Sequence, residues 1–294
     1  MANSRILRDG LFFGEGPRWH EGRLWYSDFY DHAVHAIDLD GNDERIVEVA
    51  SQPSGLGWLP NGDLLVTSML DRKLMRWDGT TLSVHADLGN HFTWHANDLL
   101  VDSHGRAYIG NFGFDYEIFL EEQGIEGLFA DPDSLTTVMC RVDADGTINV
   151  ASDGLIFPNG MVITPDGKTM IVAETLALRL TAFDIAADGS LSNRRVWADL
   201  SAHMAAPDGI CLDAEGAVWI ANALAPRLMR IGEGGVVLDE VETSMNTYAC
   251  MLGGPEGKHL FAMTAPTSDS RHASLARNGA IEVVEVSVPH AGQP

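Results

Sequence analysis

Residues 208–222 read DGICLDAEGAVWIAN, and residues 159–174 read NGMVITPDGKTMIVAE. Both start with a polar residue followed by glycine. An apolar run follows, then a turn at Glu-Gly or Asp-Gly, then a second apolar run. Glycine takes the left-handed backbone of such a hairpin turn without a steric penalty. The same pattern recurs outward along the chain: EGPRWHEGRLWYSD from Glu15, SGLGWLPNGDLLVTS from Ser54, NDLLVDSHGRAYIGN from Asn97 and ACMLGGPEGKHLFAM from Ala249. Five turn glycines, Gly62, Gly105, Gly167, Gly216 and Gly257, fall eight residues after the start of their segment. Gly22 falls seven after Glu15. Three residues past each turn glycine stands Trp25, Leu65, Tyr108, Met170, Trp219 or Leu260, a packing position in the second strand.

A third strand follows most hairpins, as in HAVHAIDLDG, VMCRVDADG and RLTAFDIAADG. Segment starts are 39, 43, 62, 49 and 41 residues apart. Three- or four-stranded antiparallel units at this spacing are propeller blades. Helical solenoids repeat at similar length, but here turns are too frequent and Val, Ile and Trp too common. The reading is an all-β chain: a six-bladed β-propeller occupying residues 1–294 as one domain. ILRDGLFF near the start pairs with IEVVEV near the end to close the ring and remove an open edge.

Net charge is −23, from 19 basic and 42 acidic residues, which argues against nucleic acid or an anionic membrane as partner. MANSRILRDGLFF lacks the features of a signal peptide, and no apolar run approaches the length needed to span a bilayer. Cys140, Cys211 and Cys250 lack metal-ligand spacing and read as reduced core thiols, so the expected location is cytoplasmic. Neither GxSxG nor HExxH is present.

In a propeller the first strand of each blade lines the central channel. Equivalent positions therefore form a ring: Glu15, Ser54, Asn97, Asn159, Asp208 and Ala249. Two carboxylates converging on one axis repel unless a cation lies between them. Oxygen ligands without His or Cys suit Ca²⁺, Mg²⁺ or Mn²⁺. The competing reading is that these residues cap turns, since Asn-Gly and Asp-Gly are common turn pairs. The second strands end level with the ring at Asp28, Ser68, Asn111 and Asn222, which are expected to orient it. An insertion at about residues 113–135 leaves from the ring side. Its Phe114, Tyr116, Phe119 and Phe129 point to a lid over the channel mouth.

The blocks EGPRW, NDLLVDSHGRAYIGN, PNGMVITPDGKTMIVAET and PDGICLDAEGAVWIAN, in this order, resemble the gluconolactonase/senescence marker protein (regucalcin) family. The resemblance runs from about Gly14 to Thr264. It implies a six-bladed propeller hydrolysing small lactones with one divalent metal ion, Ca²⁺ first, with Mg²⁺, Mn²⁺ and Zn²⁺ as further options. It carries metal ligation onto Glu15, Asn159 and Asp208, acid/base catalysis onto Asp208, and substrate binding onto Asn97. Family members that act on sugar lactones place Arg two residues before that Asn. Here His95 takes the place, with Trp94 beside it, and Phe114 and Glu117 in the insertion complete the expected substrate contacts. A lactone less polar than a sugar lactone is expected. Two other classes use the same scaffold: a condensing enzyme or lyase of the strictosidine-synthase kind, and a non-catalytic binding propeller.

Overall fold

Each of the six segments forms the two inner strands of one blade in the computed structural model, which describes residues 2–292. The innermost strands are Gly14–His20, Pro53–Trp58, Ala96–Val101, Pro158–Ile163, Pro207–Leu212 and Asn246–Gly253. Blades one to four are continuous in sequence and pair antiparallel from the channel outward; blade five does the same over its four main strands and adds Ala2–Asn3 from the start of the chain, parallel to its outer strand Val237–Glu242. Blade six takes its outermost strand, Arg5–Leu11, from the start of the chain, paired antiparallel with Gly279–Glu285. The ring thus closes as the sequence predicts. The second-strand positions Trp25, Leu65, Tyr108, Met170, Trp219 and Leu260 are all buried, and the three cysteines are free and buried. Among the described residues no helix is long and apolar enough to cross a membrane.

The ladder between the first two strands breaks at the ring. In blade five Pro207 pairs with Asn222 and Ile210 with Ile220, so Asp208 and Gly209 together face Ala221. Ser54–Gly55, Asn97–Asp98 and Asn159–Gly160 are bulged in the same way. In blade one the extra residue falls between Glu15 and Arg18. A bulge bends its strand and re-aims a side chain, here toward the channel. Blade six differs. It pairs regularly back to Ala249, and its extra residue is Tyr248.

The glycine after the ring residue is not a turn device, because it lies inside a strand. A Cβ on Gly55 would stand 2.2 Å from the backbone nitrogen of Leu99, and one on Gly160 would stand 2.5 Å from that of Ile210. Inner strands of successive blades touch here, and only glycine leaves room.

The insertion after blade three is helical. Helix α1, Tyr116–Ala130, starts at Asp115, whose side chain accepts from the Ile118 N–H, and it kinks at Gly124. From the opposite blade, six, comes a loop carrying the short helix α2, Ser270–Ala273. Arg271 on α2 meets Glu121 on α1 at 3.2 Å, so the two segments join over the mouth of the channel.

Candidate functional site

Glu15, Asn97, Asn159 and Asp208, from blades one, three, four and five, line one cavity of about 310 Å³. All four are buried. A hydrogen-bond chain fixes the carboxamides. Ser54 Oγ donates to Asn97 Oδ1 at 3.2 Å, Asn97 Nδ2 to Asn159 Oδ1 at 3.1 Å, and Asn159 Nδ2 to Thr175 Oγ1 at 3.2 Å. Thr175 in turn donates to the Pro207 carbonyl at 2.8 Å, beside Asp208.

The floor carries unbalanced charge. Burial pushes the Glu15 carboxyl well above the usual range, and the charges of Asp208 and Asp98 push it further. Asp208 is raised by burial and then by Asp98, against a smaller opposing effect of Asn159. Asp98 is itself raised by burial and only partly relieved by Arg18, and its Oδ1 has no hydrogen-bond partner among the described residues. Arg18 is buried, donating to the carbonyls of Pro17 at 2.8 Å and Leu99 at 2.7 Å. When ionised, three carboxylates against one guanidinium leave two negative charges, which one divalent cation would balance. Carboxylate and carboxamide oxygens are the donors a hard cation takes. No group of three His, Cys, Asp or Glu placed to hold a metal is found among the described residues; the further oxygen donors beside Glu15 and Asp208 on the cavity lining are the amide oxygens of Asn97 and Asn159.

Above the floor the wall is aromatic. Phe13, Gln52, His95 and Phe157 line it, each two residues before a ring residue. Gln52 and Phe157 hold left-handed backbone, with φ of 64° and 53°. Such strain in a non-glycine residue persists only where the surroundings enforce it. Phe13 meets Phe29 at 5.3 Å and Tyr248 at 4.8 Å between ring centres, and Phe157 stacks on Phe112 at 4.7 Å. Burial lowers the His95 pKa against a weaker pull from Asp115, so the imidazole is neutral at neutral pH. Tyr116 and Glu117 from α1, with Ser268 and Ser270 from the blade-six loop, line the mouth.

Five of the residues singled out in the sequence come together here: Glu15, Asn97, Asn159, Asp208 and His95. Glu117 joins them at the mouth. Trp94 and Phe114 do not line the cavity. Trp94 stacks on the outer side of His95 at 5.0 Å, and Phe114 packs into the apolar base of the insertion with Phe119 and Phe157. The second-strand ends also act elsewhere. Asp28 accepts from the N–H groups of Phe12 and Phe13, Asn111 accepts from Gly113 and Thr137, and Asn222 accepts from Ala206 and Leu224. Ser68 donates to Asp71. These four tie their own blade's loops; the ring carboxamides are held instead by one another, by Ser54 and by Thr175. Asp98, Arg18 and Tyr248 were not singled out. The two-residue offset that drew attention to His95 also marks Phe13, Gln52 and Phe157.

A six-bladed propeller with an oxygen-lined, aromatic-walled cavity on its axis is a small-molecule-binding propeller. The sequence pattern of the SMP-30/Gluconolactonase/LRE-like region matches residues 13–266, and the chain belongs to that family. It is similar to regucalcin of Xenopus laevis, 26% identical over 88% of this chain and 85% of the relative. It is also similar to a pentonolactonase of Haloferax volcanii, 24% identical over 90% of this chain and 86% of the relative. Among solved structures, a luciferin-regenerating enzyme superposes with a TM-score of 0.80 at 21% identity, over 98% of this chain and 97% of that one. The last likeness shows the fold.

Proposed function

We propose that the chain is a metal-dependent hydrolase that opens a lactone less polar than a sugar lactone, and that it works in the cytoplasm. The carrying observation is the floor: two carboxylates and two carboxamides from four blades meet under an aromatic wall. Membership of a family with lactonase relatives supplies the reaction class.

Glu15, Asn159 and Asp208 would hold the divalent ion, with Ca²⁺ ahead of Mg²⁺, Mn²⁺ or Zn²⁺. When bound, such an ion polarises an ester carbonyl and stabilises negative charge on its oxygen. Asp208 accepts a proton from the attacking water and returns it to the ring oxygen as the C–O bond breaks. The product is a hydroxy acid, and no other reactant is consumed. Asn97 offers its remaining N–H to the substrate carbonyl. His95 and Glu117 contact the substrate from the wall and the mouth. Trp94 acts only by backing the His95 ring, and Phe114 by packing the base of the insertion.

The test is a pH-drop screen of aliphatic, aromatic and sugar lactones with and without chelator, alongside elemental analysis. Hydrolysis restored by one ion, and lost with that ion in Glu15→Gln, is the expected result. Chelator-insensitive turnover, or full metal content and activity in Glu15→Gln, would overturn the reading.

A further inference from the structure

The cavity has a second polar end, at its mouth, whose charge takes no part in breaking the ester bond. Three carboxylates line the cavity, Glu15 and Asp208 on the floor and Glu117 at the mouth, and no Lys or Arg does. A divalent ion on the floor balances the first two together with Asp98 and Arg18. Glu117 is then the one charge left over. It makes no salt bridge or hydrogen bond among the described residues. The nearby guanidinium of Arg271 is held elsewhere, by Asp269 at 2.9 Å and Glu121 at 3.2 Å.

Around Glu117 the surface is aromatic. Tyr30 and Tyr116 line the same mouth. Tyr30 continues through Phe29, at 6.3 Å between ring centres, to Phe13. Tyr116 continues to Phe112 at 6.1 Å and Phe157 at 5.9 Å. The charge of Glu117 bears on both phenols, which, raised by burial above all, remain neutral. The ring faces carry negative potential, and a carboxylate beside them adds to it.

We propose that Glu117, Tyr30 and Tyr116 form a cation subsite that takes a substituted ammonium group on the substrate while the ester lies on the floor. This rests on the lactone reading and narrows it: the preferred substrate is a lactone with a cationic side group. Anionic lactones meet Glu117 with nothing to pair with and are rejected. The net charge of −23 draws cations toward the mouth as well.

The experiment separates the subsite from the reaction. Binding of choline and of its uncharged carbon isostere, 3,3-dimethylbutan-1-ol, is measured by calorimetry on the purified protein. Choline binding at least about 10-fold tighter, with the preference removed in Glu117→Gln, is expected for a carboxylate-assisted aromatic site. Equal binding, no binding of either, or a preference that survives Glu117→Gln would overturn the subsite. In parallel, γ-lactones bearing a trimethylammonium or a tert-butyl group are assayed for opening. A choline preference with neither lactone opened leaves the subsite standing and sinks the lactone reading. Both lactones opened at equal rates does the reverse.

Discussion

Blades five and six start from the same repeat and end differently. In blade five the ladder bulges at Asp208 and Gly209, which throws the Asp208 carboxylate into the cavity and lets the strand lie against its neighbour. In blade six the ladder stays regular through Ala249, and the displaced residue is Tyr248, whose ring fills that sector of the wall. A ring residue is therefore a side chain plus a bulge. Blades bulged at or just after the ring position supply polar and charged groups; blade six, bulged one residue earlier at Tyr248, supplies aromatic surface.

The strongest way to sharpen this contrast is to neutralise the bulged residue. Asp208→Asn should lower lactone opening by about 100-fold or more, the range lost with an acid/base group. It should also raise the thermal midpoint of chelated protein, because repulsion with Glu15 and Asp98 is relieved. The sign can be checked by pH. Both carboxyls bind protons more tightly folded than unfolded, so their contribution is greatest in acid and is lost as pH rises through the folded values. Chelated wild type should therefore lose stability on that rise more steeply than Asp208→Asn. A parallel loss in the two proteins would remove the repulsion from the account.

The second test attacks the seam. A Cβ on Gly209 would lie 2.6 Å from the Ala249 Cβ and 2.7 Å from its Cα. Backbone cannot yield as a side-chain tip can, so Gly209→Ala should cost about 1–3 kcal/mol, read as a lower denaturation midpoint. Ala249→Asp asks the converse question. With the bulge at Tyr248 and not at Ala249, the new carboxylate is buried and not delivered to the floor. Stability should fall by about 1–3 kcal/mol, while the rate of the folded fraction stays within a small factor. A large gain or loss in that rate would show that ring membership needs no bulge at the ring position.

The comparison also explains what was legible in advance. Turn glycines and alternating apolar runs report strand pairing within a blade, so the propeller, its closure and the ring residues followed from the repeat. What two strands of different blades do to each other is not written in either one. A turn reading of the polar-Gly pairs stays open beside the ring reading because the sequence does not say that Gly55 and Gly209 meet a neighbouring backbone. Asp98 occupies the place of such a glycine in blade three, and its charge becomes visible only once Arg18 from blade one is beside it. The strand-end residues failed for the opposite reason. Asp28 and Asn222 find loop N–H groups close by, and local partners win over the more distant ring.

The smallest expected effect lies at the outer seam, where the closing strand of blade six meets the outer strands of blade one. His35 stands between two carboxylates, with Nε2 3.1 Å from Asp31 and Nδ1 3.3 Å from Asp43. Tyr26 stacks on the imidazole and donates to Asp43 at 2.9 Å. Arg45 and Arg277 reach Asp31, and Arg8 of the closing strand lies 3.8 Å from Asp43. Burial lowers the His35 pKa, but Asp43 and Asp31 outweigh it and hold the imidazole above its ordinary value. Its stabilising contribution is full below the unfolded pKa and is lost as pH rises through the folded one. His35→Gln should remove that dependence at a cost of about 1 kcal/mol or less in the protonated range, since the flanking arginines remain and are partly exposed. The inner seam predicts a loss that vanishes when metal is added. The outer seam predicts one that metal leaves unchanged and that His35→Gln abolishes, so thermal midpoints across pH, with and without ion, assign each part of the curve to its seam.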